Sequence, residues 1–192
     1  MLGDSAGHLY SCNSEGECKD HGEQGKWIYA MAVYGGKLWL SNFDPGGPFA
    51  GHLHFCNAKG VCKDHGKKGN EITAMAVYER RLWLGDTRGH LFACDAEGEC
   101  PDYGEKAHWI DAMAVYDGKL WLSDTWSRLF SCDAFGVCKE KHRGEGEWID
   151  AMAVYGGKLW LGDRAGHLFS CNAEGVCKDH EKKGDRIYAM AV

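Results

Sequence analysis

A tetrapeptide that recurs at a nearly constant interval is the feature that most constrains how this chain can fold. Ala-Met-Ala-Val begins at five positions spaced 44, 38, 39 and 38 residues apart: Ala30, Ala74, Ala112, Ala151 and Ala189. A fixed period of this length is typical of propellers and solenoids, in which each repeat is one supersecondary unit. We therefore expect residues 1–192 to form a single domain built from five copies of one unit.

Turn signals divide each unit into four short segments. Gly-Gly pairs such as Gly35-Gly36 suit a two-residue hairpin turn, and two further turns end on a glycine, for example Gly166 and Gly175. In the unit that ends near His65, these signals predict strands at residues 27–34, 37–42, 51–56 and 61–65. No apolar stripe with a spacing of 3.6 residues is long enough to predict a helix. The sequence therefore predicts an all-β fold of four-stranded antiparallel sheets.

The apolar content falls from the first strand of each unit to the fourth. The first two strands are apolar on both faces, which is typical of strands buried between sheets, whereas Cys-Lys-Asp-His is polar, as an exposed edge strand should be. Pro101 falls on one of these fourth strands, where a missing N–H is tolerable. We expect the mid-strand tryptophans to form the core between sheets: Trp39, Trp83, Trp121 and Trp160.

The two ends of the chain carry complementary parts of one unit. The chain starts inside a second strand, at Leu2–Asp4, and stops after a first strand, Ala189–Val192. We expect these strands to pair in one sheet and to close a ring, which hides two open edges. A linear solenoid is the alternative, although it would require atypical end repeats.

With five such repeats, the chain resembles the β-propeller superfamily, and its architecture resembles that of the lectin tachylectin-2. The resemblance implies a five-bladed β-propeller of four-stranded antiparallel blades. It also implies carbohydrate binding, as an expectation by analogy of fold.

Every unit contains two cysteines separated by five residues, on either side of its third hairpin. Residues that face each other in a non-hydrogen-bonded pair have Cα atoms about 4.5 Å apart, which a disulfide can span. We expect five disulfides and, from them, a secreted or extracellular protein. Free thiols are an alternative, as is a metal site with His21, His65 or His180, although structural zinc needs four ligands. The pairs are Cys12/Cys18, Cys56/Cys62, Cys94/Cys100, Cys132/Cys138 and Cys171/Cys177.

Charge and hydropathy exclude several classes of partner. The net charge is −6, and the basic residues are scattered among acids, so no basic surface for nucleic acid is expected. No apolar run approaches the roughly 20 residues of a transmembrane helix, and the first residues lack a signal-peptide pattern. We expect a monomer that binds a glycan, another small polar ligand or a protein, without cofactor, metal, nucleic acid or membrane insertion.

Sequence variation among the units is concentrated in the connections that would lie on one face of a propeller. These include an insertion at residues 43–49 and the position before each first strand, which changes among Trp27, Glu71, Trp109, Trp148 and Arg186. Variable loops on a rigid scaffold are where binding usually occurs.

The candidate ligand-binding residues on this face are carboxylates, which accept hydrogen bonds from sugar hydroxyls, and indole rings, which pack on a sugar ring. They are Asp4, Asp86, Asp124 and Asp163, with Asn42 at the fifth equivalent position, and Trp27, Trp109 and Trp148. The alternative is that each aspartate caps its own turn.

The near-identity of the repeats favours binding over catalysis. Catalysis needs different groups in different roles, whereas a repeat places the same group several times. We therefore predict a multivalent, lectin-like module whose weak sites gain avidity together, and not an enzyme. A protein-interaction scaffold is the alternative. A propeller glycosidase is more distant, because Asp111 and Asp150 are the only acids near the first strands.

Overall fold

The computed structural model describes residues 2–42, 51–144 and 147–190, and these residues are folded into strands and turns without a helix. Consequently, none of them forms a helix long and apolar enough to cross a membrane. The strands in these ranges are β1 Leu2–Gly3, β2 His8–Cys12, β3 Cys18–Glu23, β4 Ile28–Tyr34, β5 Lys37–Asn42, β6 His52–Cys56, β7 Cys62–Lys67, β8 Ile72–Tyr78, β9 Arg81–Asp86, β10 His90–Cys94, β11 Asp102–Glu105, β12 Ile110–Tyr116, β13 Lys119–Asp124, β14 Arg128–Cys132, β15 Cys138–Arg143, β16 Ile149–Tyr155, β17 Lys158–Asp163, β18 His167–Cys171 and β19 Cys177–Lys182.

The strands form antiparallel meanders that follow chain order. Four sheets have four strands each, β4–β7, β8–β11, β12–β15 and β16–β19, and β1–β3 form a three-stranded sheet. The predicted all-β class and four-stranded sheets are confirmed, and the observed bounds of β4 to β7 lie within two residues of the predicted ones. The insertion predicted at residues 43–49 lies outside the described residues.

The chain divides into two compact units. The first comprises the residues up to Asp86 together with Phe92–Asp102, and the second comprises Thr87–Leu91 together with the residues from Tyr103 onward. Residues 185–190 are described outside any strand, and β1 is an edge strand of its sheet. Ring closure and the single domain therefore stay predictions.

Each unit has a core between successive sheets, and a tryptophan lies at its centre. In the first unit Trp39 and Leu53 pack with Leu82 and Leu84. The Trp39 indole N–H donates to Tyr34 O of its own sheet at 3.0 Å, so burial leaves no orphaned donor on this ring. Trp39, Trp83 and Trp121 have no exposed surface, as predicted, whereas Trp160 is only half-buried.

Tight turns join the first and second strands of each unit. Gly35 and Gly36 have φ values of 58° and 71°, the left-handed region that a two-residue hairpin turn requires. Glu79 and Arg80 occupy the same two positions in a later unit, with φ values of 47° and 60°. Because side chains rarely adopt this region, the turn geometry there is imposed by the pairing of the two strands.

All five predicted disulfides are present, with Cα–Cα distances between 3.9 and 4.0 Å. In four of the pairs the two cysteines are strand residues directly opposite each other across the third hairpin. Closing so short a loop stabilises the fold by about 2 kcal/mol per bridge in the chain-entropy account. Five disulfides are consistent with an extracellular protein.

The fifth pair, Cys94 and Cys100, differs in its strand position. The prediction that the second cysteine begins the fourth strand is wrong for Cys100, because β11 begins only at Asp102. The physical reason is Pro101, which has no N–H to donate to the ladder and leaves only its carbonyl, an acceptor for the Ala93 N–H at 3.3 Å. The disulfide between Cys94 and Cys100 forms nevertheless, with a Cα–Cα distance of 4.0 Å. The proline therefore shortens the edge strand without displacing the bridge.

Candidate functional site

Every fully described first strand contains a β-bulge at its second residue. In β12 the register passes from Ile110 opposite Asp124 to Ala112 opposite Ser123, which leaves Asp111 as the extra residue. A bulge re-aims a side chain, and bulges are frequent beside functional sites. The same irregularity occurs in the other first strands, where the bulged residues are Tyr29, Thr73 and Asp150.

Asp150 is paired with two arginines that come from different segments of the second unit. Arg164 Nε lies 3.3 Å from Asp150 Oδ1, and Arg186 Nε lies 2.5 Å from Asp150 Oδ2. The Asp150 side chain is 7% exposed, so both contacts are largely shielded from solvent. Charge-assisted hydrogen bonds of this kind are shorter and stronger than neutral ones.

Two tryptophans lie beside this ion-pair network. The Arg164 guanidinium stacks on the ring of Trp148, with Cζ 3.4 Å from the ring centroid. The ring centroids of Trp148 and Trp109 are 6.1 Å apart and the rings are inclined by 48°. We refer to Trp109, Asp111, Trp148, Asp150, Arg164 and Arg186 together as the Asp111–Asp150 cluster.

Asp111 is the unusual member of the cluster. It is 7% exposed, and its Oδ2 atom has no hydrogen-bond partner among the residues that the structure describes. Burial, and then the nearby negative charge of Asp150, raise the pKa of Asp111 to about 7, against the opposing effect of Arg164 and Arg186. Near neutral pH its carboxyl group can therefore both donate and accept a proton, a property that is concentrated at functional sites.

The predicted carboxylates lie in their own turns. Asp4 Oδ1 accepts hydrogen bonds from the N–H groups of Ala6 and His8, at 2.9 and 2.8 Å. The His8 N–H is the main reason why the pKa of Asp4 lies below its usual range. Asp163 is 3% exposed, and its Oδ1 accepts from the His167 N–H at 2.7 Å.

Asp86 and Asp124 hold the segments that precede the first strands as well. Asp86, 2% exposed, accepts from the Asn70 N–H at 2.9 Å. Asp124 is fully buried and accepts from the His108 N–H at 3.1 Å and from the backbone and guanidinium of Arg128. This geometry is that of turn caps, the alternative interpretation, and ligand binding by these four aspartates stays a prediction.

The predicted tryptophans fall into two groups. Trp27 belongs to the first unit and is 47% exposed. Trp109 and Trp148 belong to the second unit and contact each other within the cluster. Asp111, Asp150, Arg164 and Arg186 were not among the predicted site residues. The signal that could have identified them is the second residue of each first strand, where Tyr29 and Thr73 give way to Asp111 and Asp150.

A cavity of about 400 Å³ lies elsewhere in the second unit. Leu161 and Phe169 form part of its apolar wall, and Asp163 and His167 lie on its polar side. It borders Gly144 and Glu147, and residues 145–146 between them are outside the described ranges, so we place no site there. In the described part of the chain, no group of three or more His, Cys, Asp or Glu side chains is placed to hold a metal ion.

Comparison with known proteins identifies the fold. No family profile and no curated protein sequence match the chain. Virginiamycin B lyase from Staphylococcus aureus superposes with a TM-score of 0.81 at 11% identity, over 96% of this chain and 67% of that one. A streptogramin B lyase structure gives 0.78 at 12% identity, over 93% and 63%. The computationally designed Ika8 protein gives 0.69 at 16% identity, over 99% and 61%.

These likenesses show the fold. The chain is a β-propeller, as the repeats predicted, and it spans 61 to 67% of the length of these three structures. Identities of 11 to 16% carry no statement about activity, substrate or partner.

The prediction that the chain is not an enzyme is wrong. Two of the similar structures are lyases, so a propeller of this kind is compatible with catalysis. The prediction assumed that repeats place identical groups at every blade. The bulge position contradicts that assumption, because Asp111 and Asp150 replace the Tyr29 and Thr73 of the first unit.

Proposed function

We propose that the Asp111–Asp150 cluster binds a carbohydrate or a similarly polyhydroxylated ligand. The propeller fold fits a ligand-binding or interaction scaffold. The observation that carries the finer proposal is Asp111 Oδ2, a buried oxygen without a hydrogen-bond partner in the described ranges. Leaving a buried polar atom unsatisfied costs about 1 to 3 kcal/mol. A ligand hydroxyl that hydrogen-bonds to Asp111 recovers this energy on binding.

The other members of the cluster supply what a sugar needs besides a hydroxyl partner. Trp109 and Trp148 provide aromatic surface for the apolar face of a sugar ring. Arg164 and Arg186 each carry N–H groups beyond the Nε–H that bonds to Asp150. These groups can donate to ring or hydroxyl oxygens. With five disulfides, the proposal places this binding outside the cell.

The cluster distinguishes one site from the five implied by the repeats. Only one copy of this combination of residues is formed within the described ranges, since the first unit has Tyr29 and Thr73 at the bulge. The multivalent, lectin-like module stays a prediction. A protein-interaction scaffold is the outcome if no saccharide binds.

Calorimetric titration with a panel of mono- and oligosaccharides tests the proposal. We expect one site per chain, and an affinity that falls about tenfold in Trp148→Ala, equivalent to about 1.4 kcal/mol. Trp27→Ala is the matched control, because Trp27 occupies the same repeat position in the first unit. Equal losses in the two variants would place the site elsewhere, and the absence of any binding saccharide would reject it.

A second candidate function is acid–base catalysis on the bound ligand. The observation that favours it is the pairing of Asp111, whose pKa is raised to about 7, with Asp150 in a different electrostatic environment. Neighbouring carboxyl groups in contrasting environments are the usual basis for dividing acid and base roles.

In glycoside hydrolysis, the leaving oxygen takes the Asp111 proton as its bond to the anomeric carbon breaks. The water that adds to this carbon returns a proton to Asp111. Chromatography of each bound saccharide after incubation detects the products. We expect Asp111→Asn to retain binding and to lose turnover. A saccharide that binds and stays intact with the wild-type protein excludes catalysis on that ligand.

A further inference from the structure

Successive sheets pack through the same pair of faces in both units. In the first unit, a face that carries Trp39 and Leu53 packs on Leu82 and Leu84 of the next sheet. The second unit repeats this contact with Trp121 packing on Leu159 and Leu161. We call the face with the mid-strand tryptophan the tryptophan face. The facing side of the next sheet, with its second-strand leucines and its disulfide, is the leucine face.

Polar contacts at the edges of the interface accompany this packing. The Tyr34 hydroxyl donates to Arg80 O at 2.5 Å, and the Tyr116 hydroxyl donates to Gly157 O at 2.9 Å, in each case in a turn of the following sheet. In the fourth strand, His65 Nε2 lies 2.7 Å from Glu97 O, which accepts its proton. A tyrosine and a histidine thus bond the tryptophan face to the backbone of its neighbour.

The tryptophan face of β16–β19 is exposed. Trp160 is only half-buried, whereas its three counterparts have no exposed surface. Tyr155, the counterpart of Tyr34 and Tyr116, is 65% exposed. His180, the counterpart of His65, stacks on Trp160 at 5.1 Å and bonds to Ser170 of its own sheet at 2.8 Å.

The leucine face of β1–β3 is exposed as well. Leu2 is 57% exposed, whereas its counterparts Leu40 and Leu84 are fully buried. Cys18 is exposed and Cys12 is half-buried, although the first cysteine of every other disulfide is fully buried.

The turn that this disulfide closes has no neighbour. No atom lies within 4 Å of where a Cβ on Gly16 would be. The equivalent Gly60 and Gly98 lie against His21 and His65 of the preceding sheets.

We propose that the tryptophan face of β16–β19 docks on the leucine face of β1–β3 of a second copy of this chain, head to tail. The two faces are the complementary halves of an interface that the chain forms several times within itself. Because both are exposed in the same structure, the sheet that covers each comes from another molecule. An exposed apolar face of this kind is a recognised mark of an association surface.

The docked geometry follows from the internal interfaces. Trp160 packs on Leu2 and on the Cys12–Cys18 disulfide, as Trp39 packs on Leu84 and Cys94. His180 leaves Ser170 and donates to the backbone carbonyl of the turn at Glu15, the position equivalent to Glu97. A head-to-tail contact is heterologous, so it produces closed rings or open chains of molecules.

Sedimentation velocity over a wide concentration range tests this proposal. We expect the wild-type mass to rise with concentration above the single-chain mass of 21.3 kDa. Trp160→Glu and Leu2→Glu each place a charge on one face, and each variant alone should sediment as a monomer. Phe135→Glu is the control, because Phe135 is 81% exposed in a turn outside both faces, and it should associate as the wild type does.

Mixing the two blocked variants gives the decisive result. One intact leucine face and one intact tryptophan face remain in the mixture, so we expect a dimer of twice the chain mass that grows no further. A wild-type protein that stays at 21.3 kDa, or a mixture that stays monomeric, overturns the proposal. Either result favours closure within one chain. If circular dichroism shows that Trp160→Glu is unfolded, Tyr155→Glu on the same face replaces it.

Discussion

The two units place different residues at the same backbone irregularity. In the first unit, the bulged residues are Tyr29, which is 43% exposed, and Thr73, whose hydroxyl donates to Gly85 O at 3.3 Å. In the second unit they are Asp111 and Asp150, which bring two carboxyl groups beside two arginines. The register on either side of the bulge is the same in both units. The repeat therefore specifies the scaffold, and departures from the repeat specify the chemistry.

The largest expected effect of this difference is on the pH dependence of stability. Because the pKa of Asp111 is raised to about 7, the folded protein binds its proton more tightly than the unfolded chain does. Stability from this group is complete below about pH 4, is lost as the pH rises to about 7, and is constant above that. The upper bound of the loss is about 4 kcal/mol, at about 1.4 kcal/mol per pH unit.

Urea unfolding of wild type and Asp111→Asn between about pH 4 and pH 8 measures this effect. The charged groups that act on Asp111 are Asp150 and Asp124, which raise its pKa, and Arg164 and Arg186, which lower it. All of them remain in the variant. We expect the stability difference between the two proteins to shift in favour of Asp111→Asn as the pH rises. Parallel curves would show that Asp111 does not titrate in this range.

The second prediction transfers the carboxyl group to the first unit. Thr73 is 3% exposed, so Thr73→Asp buries a carboxyl group and removes the hydrogen bond to Gly85 O. We expect a loss of about 2 to 3 kcal/mol at pH 7, and a smaller loss at about pH 4, where the carboxyl group is protonated.

Thr73→Ser retains the hydroxyl and is the matched control for this substitution. Chemical denaturation of the two variants at both pH values gives the comparison. An Asp at position 73 that is tolerated as well as Ser would mean that the bulge accepts a carboxyl group without arginines.

The fold could be predicted from the sequence because its determinants are local. The Gly35-Gly36 pair determines a hairpin turn, and a spacing of six positions between cysteines places Cys56 opposite Cys62 once that hairpin forms. The alternation of apolar strands and glycine turns then predicts four strands in each unit. Whether the sheets form a ring depends on contacts between distant segments, and the local pattern does not determine these.

The candidate site was only partly predictable for the same reason. Variation between units identified Trp109 and Trp148, because the position before each first strand changes along the chain. Arg164 follows β17 and Arg186 lies in the last described segment, and their convergence on Asp150 depends on how these segments pack. Asp111 and Asp150 were visible as the only acids near the first strands. Their importance was missed, because the repeats were assumed to be chemically equivalent.

The smallest expected effect concerns the shape of one cation in the cluster. Arg164 both bonds to Asp150 and stacks on Trp148, and a planar guanidinium can make both contacts at once. Arg164→Lys keeps the positive charge near Asp111 and Asp150 but loses the stacked plane. We expect a destabilisation of about 0.5 to 1 kcal/mol and a change in the tryptophan fluorescence of the folded protein. The matched control is Arg143→Lys, because Arg143 is 60% exposed and pairs with Glu140 outside the cluster. If the two variants have the same stability and the same emission spectrum, the stacking on Trp148 does not contribute in solution. If only Arg164→Lys also weakens saccharide binding, the guanidinium positions the indole ring for the ligand.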